Sequence, residues 1–131
     1  MIYEEVVVLA MPFDQALERV KWALAEEGFG TLTEIDLQAT FEAKIGKRID
    51  RYVILGACNP HLAARALDAE PQLGVLLPCN VVVRETDGGV TVEAMDPGMM
   101  ATLVERDEIQ PIADDARRHI GNALAALTTP T

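Results

Sequence analysis

No apolar run in this chain approaches the roughly 18 residues that a bilayer-crossing helix requires, so no membrane partner is expected. The opening residues, Met1-Ile2-Tyr3-Glu4-Glu5, place no basic stretch ahead of an apolar segment, which is not the pattern of a secretory signal. A cytoplasmic location is the expectation. Basic side chains are scarce too: 11 Lys and Arg stand against 21 Asp and Glu, for a formal net charge of -10. A protein that holds nucleic acid needs a basic stripe to neutralise phosphates. The closest approach to one is Lys44-Ile45-Gly46-Lys47-Arg48 with Arg51, which is short and set in an acidic chain. Nucleic acid is therefore not an expected partner, and the acidic balance is read as serving solubility.

Cysteine and histidine occur twice each. Cys58 and Cys79 lie too far apart for a CxxC redox motif and are read as free thiols. His61 and His119 lack the spacing to the cysteines that a zinc finger would need, so no metal and no cofactor are expected. Also missing are a serine nucleophile elbow, a phosphate-binding glycine loop and an HExxH helix. Gly28-Phe29-Gly30 and Gly88-Gly89 are turn glycines.

What is present is half hydrophobic, enough to exclude intrinsic disorder. At 131 residues the chain is expected to form one domain, spanning 1–131, with a substantial core. Valine-rich residues 3–9 read as a strand. Pro12 opens a helix whose stripe is Phe13, Ala16, Leu17, Val20 and Leu24, with Gly28 at its end. Trp22 falls about half a turn away from that stripe. It is a candidate interface residue, with a lone exposed tryptophan as the equal alternative. Residues 29–37 read as a second strand with Phe29, Thr31, Thr33, Ile35 and Leu37 on one face, and 39–45 as a short helix stopped by Gly46. Residues 51–55 form a third strand. Pro60 starts a third helix with Leu62, Ala63, Ala66 and Leu67 inward, ended at Glu70-Pro71. Strands at 81–85 and 90–95 are joined by a hairpin at Asp87-Gly88-Gly89. Asp96-Pro97-Gly98 turns into a short helical piece, and a final helix covers 107–127.

Alternating strands and helices would ordinarily suggest a parallel sheet. The hairpin and the half-solvated alternation of the second strand point instead to α+β: a two-layer sandwich, its largely antiparallel sheet carrying helices packed on one face.

Chemistry concentrates in Gly56-Ala57-Cys58-Asn59-Pro60 and Leu77-Pro78-Cys79-Asn80, each a Cys-Asn pair beside an apolar strand. Cys58, Asn59, Cys79 and Asn80 are the candidate ligand-binding residues, expected to converge on one pocket, with Asp36 and Asp96 as a polar rim. A purely architectural reading stands beside this. Cysteine packs as a small hydrophobe, Asn59 before Pro60 suits a helix N-cap, and the two aspartates suit turns. Cys58 precedes a helix N-terminus, whose partial positive charge favours a thiolate. His61 is placed on the surface and His119 near the inner stripe of the last helix.

These segments are similar to a known family. Residues 52–60, then Ala63, Ala66-Leu67, Gly74 and 77–83 resemble the bacterial domain-of-unknown-function family 302, as do Gly28-Phe29, Glu34-Ile35-Asp36 and Asp96-Pro97. The resemblance covers nearly the whole chain. Lys47-Arg48-Ile49-Asp50 departs from it, where relatives often carry an aromatic residue and a proline. What it implies is a compact α+β domain similar to the TATA-binding-protein topology, homodimeric, with no established activity; some members occur in sulfur-metabolism settings. The expected function is a homodimeric small-ligand- or partner-binding domain without catalytic activity. The alternative is a thiol-dependent sulfur-handling or redox protein acting through Cys58 with Cys79.

Overall fold

A computed structural model describes residues 2, 3 and 5–128. The elements run β1 (Val7–Leu9), α1 (Phe13–Glu26), β2 (Gly30–Asp36), α2 (Leu37–Ile45), β3 (Tyr52–Cys58), α3 (Pro60–Ala69), a 3-10 turn (Pro71–Leu76), β4 (Cys79–Thr86), β5 (Gly89–Ala94), α4 (Gly98–Leu103) and α5 (Ile109–Leu127). The five strands form one sheet in the order β1-β5-β4-β3-β2, and every neighbouring pair is antiparallel. Helices α1 and α5 cover one face, giving the α+β two-layer sandwich.

The core follows from two periodicities. On the strands, every second residue points toward the helices: Val53, Leu55 and Ala57 on β3, Val81 and Val83 on β4, Val90, Val92 and Ala94 on β5, all buried. On α1 and α5 the helical stripe meets them. Ala116, Ile120, Ala123, Leu124 and Leu127 join Phe13, Ala16, Leu17, Val20 and Leu24 over the sheet. Each large aliphatic side chain buried this way contributes about 1.5–3 kcal/mol. A smaller cluster, Ala66, Leu73, Met100, Ile109, Ile112 and Ala113, fills the space between α3, the 3-10 turn, α4 and the start of α5.

Helix ends match their capping residues. Asp36 accepts from Ala39 N at 3.0 Å to start α2, and Asn59 accepts from Leu62 N at 3.2 Å to start α3. Gly28 and Gly46, with φ of 81° and 64°, turn the chain out of α1 and α2 in the left-handed conformation that glycine adopts without strain. Asp87-Gly88 forms the two-residue loop between Thr86 and Gly89.

Four expectations are corrected. The first strand is regular only over Val7–Leu9; before it, Tyr3 N donates to Ala94 O at 2.7 Å and Ile2 bridges Met95, while Glu4 lies outside the described residues. The second strand does not keep its alternate residues on one face. A bulge between Thr31 and Thr33 shifts the register, so Thr31 pairs with Ala57 and Thr33 with Gly56. Leu37 begins α2 instead of ending β2. Leu67 is exposed, because the smaller cluster is closed by Leu73 of the 3-10 turn, an element with no apolar period to signal it.

Ion pairs tie the layers together. Lys21 on α1 pairs with Glu34 on β2, a bond that holds its ammonium above the ordinary lysine pKa. At the end of α1, Glu27 Oε1 meets His119 Nδ1 at 3.0 Å and accepts from Asn122 Nδ2 at 3.0 Å. His119 first, then Asn122, hold the Glu27 carboxyl below its ordinary value. A depressed carboxylate stabilises the fold above its unfolded pKa, and that stabilisation is lost as pH falls through the folded value. The difference in melting temperature between wild type and Glu27→Gln should therefore be largest above about pH 5 and shrink below about pH 4. A gap that does not change with pH contradicts this assignment.

Candidate functional site

The two Cys-Asn segments meet at one end of the β3–β4 pair. Ala57 lies opposite Cys79 and Gly56 opposite Asn80. Because strand residues alternate between faces, adjacent Cys79 and Asn80 must part. Cys79 is buried under the helices, and Asn80 is exposed on the other face. The four candidates therefore do not converge on one pocket. Cys58, Asn59 and Cys79 line a small apolar cavity with Ala57, Leu62 and Leu77. Its volume is about 20 Å³, room for a single water-sized group. Asn80 lines a separate groove on the open face of the sheet.

Each residue of the first segment answers a local packing demand. Gly56 leaves room on the open face for two side chains that cross it: a Cβ there would collide with Thr33 Oγ1 and stand 2.8 Å from Pro78 Cγ. Ala57 is completely buried beneath the helices. Asn59 caps α3, and Pro60 occupies the first turn, where no amide donor is needed. The Asn59 amide also lies against Gly28, where an added Cβ would meet Nδ2 at 2.9 Å. One side chain thus locks the end of α1 to the start of α3. Pro78, with a cis Leu77–Pro78 peptide, stands just ahead of β4 and outside its ladder.

Asp36 and Asp96 each accept a bond from a backbone amide. Asp36 pairs with Val53, at the opposite end of β3 from Cys58, and its carboxylate caps α2. Asp96 lies at the cysteine end of the sheet, beyond β5. Its Oδ1 accepts from Gly98 N at 2.9 Å, and the carboxylate pairs with Arg117 at 3.3 Å. Trp22 is 53% exposed on the outer side of α1, over a shallow depression with Gln15, Glu18 and Arg19. His61 is exposed, and His119 is engaged with Glu27.

The thiols differ in chemistry. Burial, with the Cys58 charge adding to it, pushes the Cys79 thiol up to about 11, so Cys79 is protonated at neutral pH. Cys58 is only half-buried. Among the described residues there is no group of three or more His, Cys, Asp or Glu side chains able to hold a metal ion. No described helix is long and apolar enough to cross a membrane.

Residues not singled out from the sequence line the open-face groove beside Asn80: Ile2, Tyr52, Val82, Arg84, Glu93 and Met95, around a volume of about 510 Å³. Alternation along Val81-Val82-Val83-Arg84 carried the signal for Arg84. Its neighbourhood with Glu93 needs the β4–β5 register, set by the hairpin.

Comparison with known proteins agrees with this geometry. Residues 5–127 match the family described as Domain of unknown function DUF302. A crystal structure of an uncharacterised conserved DUF302 protein from Bacillus stearothermophilus superimposes with a TM-score of 0.85 at 27% identity, covering 94% of this chain and 96% of that one. No curated protein matches the sequence.

Two consequences can be measured. Gly56→Ala should cost about 1–3 kcal/mol in urea denaturation, because Thr33 and Pro78 must both give way; unchanged stability would remove the packing argument. With a maleimide at neutral pH, native protein should take up label at Cys58 while Cys79 stays protected until unfolding. Equal labelling rates at the two sites would show that the buried-thiol assignment is wrong.

Proposed function

The chain belongs to the DUF302 family, a domain of unknown function, and we propose that it is a homodimeric partner-binding domain without catalytic activity, whose docking surface is the open face of its sheet. One observation carries this reading. Among the described residues, helices cover one face of the sheet only, and the outward residues of the other are predominantly apolar or uncharged. They include Val8 on β1, Val82 on β4, Tyr52 and Ile54 on β3, and Thr33 and Ile35 on β2, with Val6 exposed just ahead of β1. Val8 and Ile35 are 53% and 45% exposed. In a chain of which 24% is charged, the described ladder residues of this face contribute one cation and one anion, Arg84 and Glu93. Exposed apolar patches of this kind mark association surfaces.

The edges of the sheet favour a face-to-face arrangement over strand addition. β1 is three residues long, and β2 is interrupted by its bulge. Short and bulged edge strands are devices that discourage edge pairing. The small-ligand version of the reading has less support at the cysteine end, where the cavity admits only a water-sized group. The thiol-dependent alternative draws no support from Cys79, which burial keeps protonated.

Sedimentation equilibrium tests the proposal. Wild type should sediment as a dimer. Val8→Lys combined with Ile35→Lys, at two exposed positions, should shift it to monomer with an unchanged circular dichroism spectrum. A wild-type monomer, or a dimer that the double variant leaves intact, overturns the reading.

A further inference from the structure

The two charges that the described strand pairings place on the open face are neighbours. Glu93 on β5 lies opposite Val82 on β4, and Arg84 is two residues further along β4 on the same face. Arg84 Nε donates to Glu93 Oε1 at 2.6 Å. The side chains are 37% and 20% exposed, so both already stand partly out of water within the groove formed by Tyr52, Asn80, Val82 and Met95. Covering this face would desolvate them further, at a cost that is offset only if their remaining bonding groups find partners. Arg84 spends Nε inside the chain. The guanidinium keeps its two terminal amino groups, arranged in a planar fork suited to a second carboxylate.

We infer that Arg84 and Glu93 set the register of the sheet-on-sheet dimer, each Arg84 meeting Glu93 of the second copy across a twofold axis. This rests on the sheet-face reading above. In a twofold interface, if residue i of one copy contacts residue j of the other, then j contacts i. A plus–minus doublet is therefore its own complement. Two chains of formal charge -10 repel one another at long range, so the contact needs a local attraction of this kind. The same doublet selects against slipped arrangements, since a displacement that brings Arg84 over Arg84 or Glu93 over Glu93 sets like charges together in a poorly solvated site.

The test is a double charge swap, R84E/E93R, which rebuilds the pair within the chain and reverses it toward a partner. Isotope-labelled wild type is mixed with the swap variant, and subunit exchange is followed by native mass spectrometry, with circular dichroism reporting the fold of each. Each protein should form homodimers, while the mixed dimer falls to below about one-tenth of the population, because it would place like charges together at both contacts. Mixed dimers at the statistical half would overturn the inference while leaving the dimer itself intact. A folded swap variant that is monomeric beside a dimeric wild type would also overturn it, because exchange pairing is symmetric to reversal. A monomeric wild type overturns the sheet-face reading together with this one. If the swap variant does not fold, the single variants R84E and E93R answer the same question. Each alone should dimerise at least about tenfold more weakly than wild type, and an equimolar mixture should recover a mixed dimer. A mixture that recovers nothing overturns the inference.

Discussion

The pairing of Ala57 with Cys79 at the end of β3 and β4 is the constraint from which the rest of the fold proceeds. It makes the two central strands neighbours and fixes which residues face the helices. Residues 53, 55 and 57 go inward with 79, 81 and 83, and the intervening ones go outward. Two further locks act at the same place. Thr33 and Pro78 cross Gly56 on the open face, and Asn59 caps α3 while lying against the glycine that ends α1. Removing any of these small or capping residues disturbs several elements at once. This is a physical reason for the composition of the segment that owes nothing to catalysis.

The same alternation that builds the core leaves the other face of the sheet uncovered. A sheet packed on one side ordinarily presents polar residues to solvent on the other. Here the described outward positions hold valine, isoleucine, threonine and tyrosine, with a single ion pair among them. Most of the acidic charge of the chain is carried elsewhere, on the helices and loops. This segregation, more than any property of the cysteines, is what the proposed association explains. The cysteine end is filled space: a buried thiol, a capping amide and a void of one water's size.

Much of this was legible in the sequence. The α5 stripe from Ile109 to Leu127 is a strong helical period, and its eight apolar positions, at helical spacing, are buried. The Asp87-Gly88 turn announced an antiparallel pair. Asn59 before Pro60 foretold the cap that starts α3. The parting of Cys79 from Asn80 was also available, since neighbours on a strand cannot share a face; repetition of a dipeptide suggested convergence where alternation forbids it. Other features depend on tertiary context. The bulge between Thr31 and Thr33 sets Thr33 opposite Gly56, a contact between residues remote in sequence. Leu67 has the spacing of an inward residue, yet Leu73 takes the place it would fill. Arg84 and Glu93 become a pair only once β4 and β5 are in register.

Methyl NMR across a dilution series tests the central claim most directly, because it reports which face of the molecule meets a partner. If two copies join through the open sheet face, the methyl resonances of Val6, Val8 and Val82 shift with protein concentration while those of Val75, exposed near the opposite cluster, stay fixed. Resonances that do not move on dilution, or a response confined to Val75, would contradict the account.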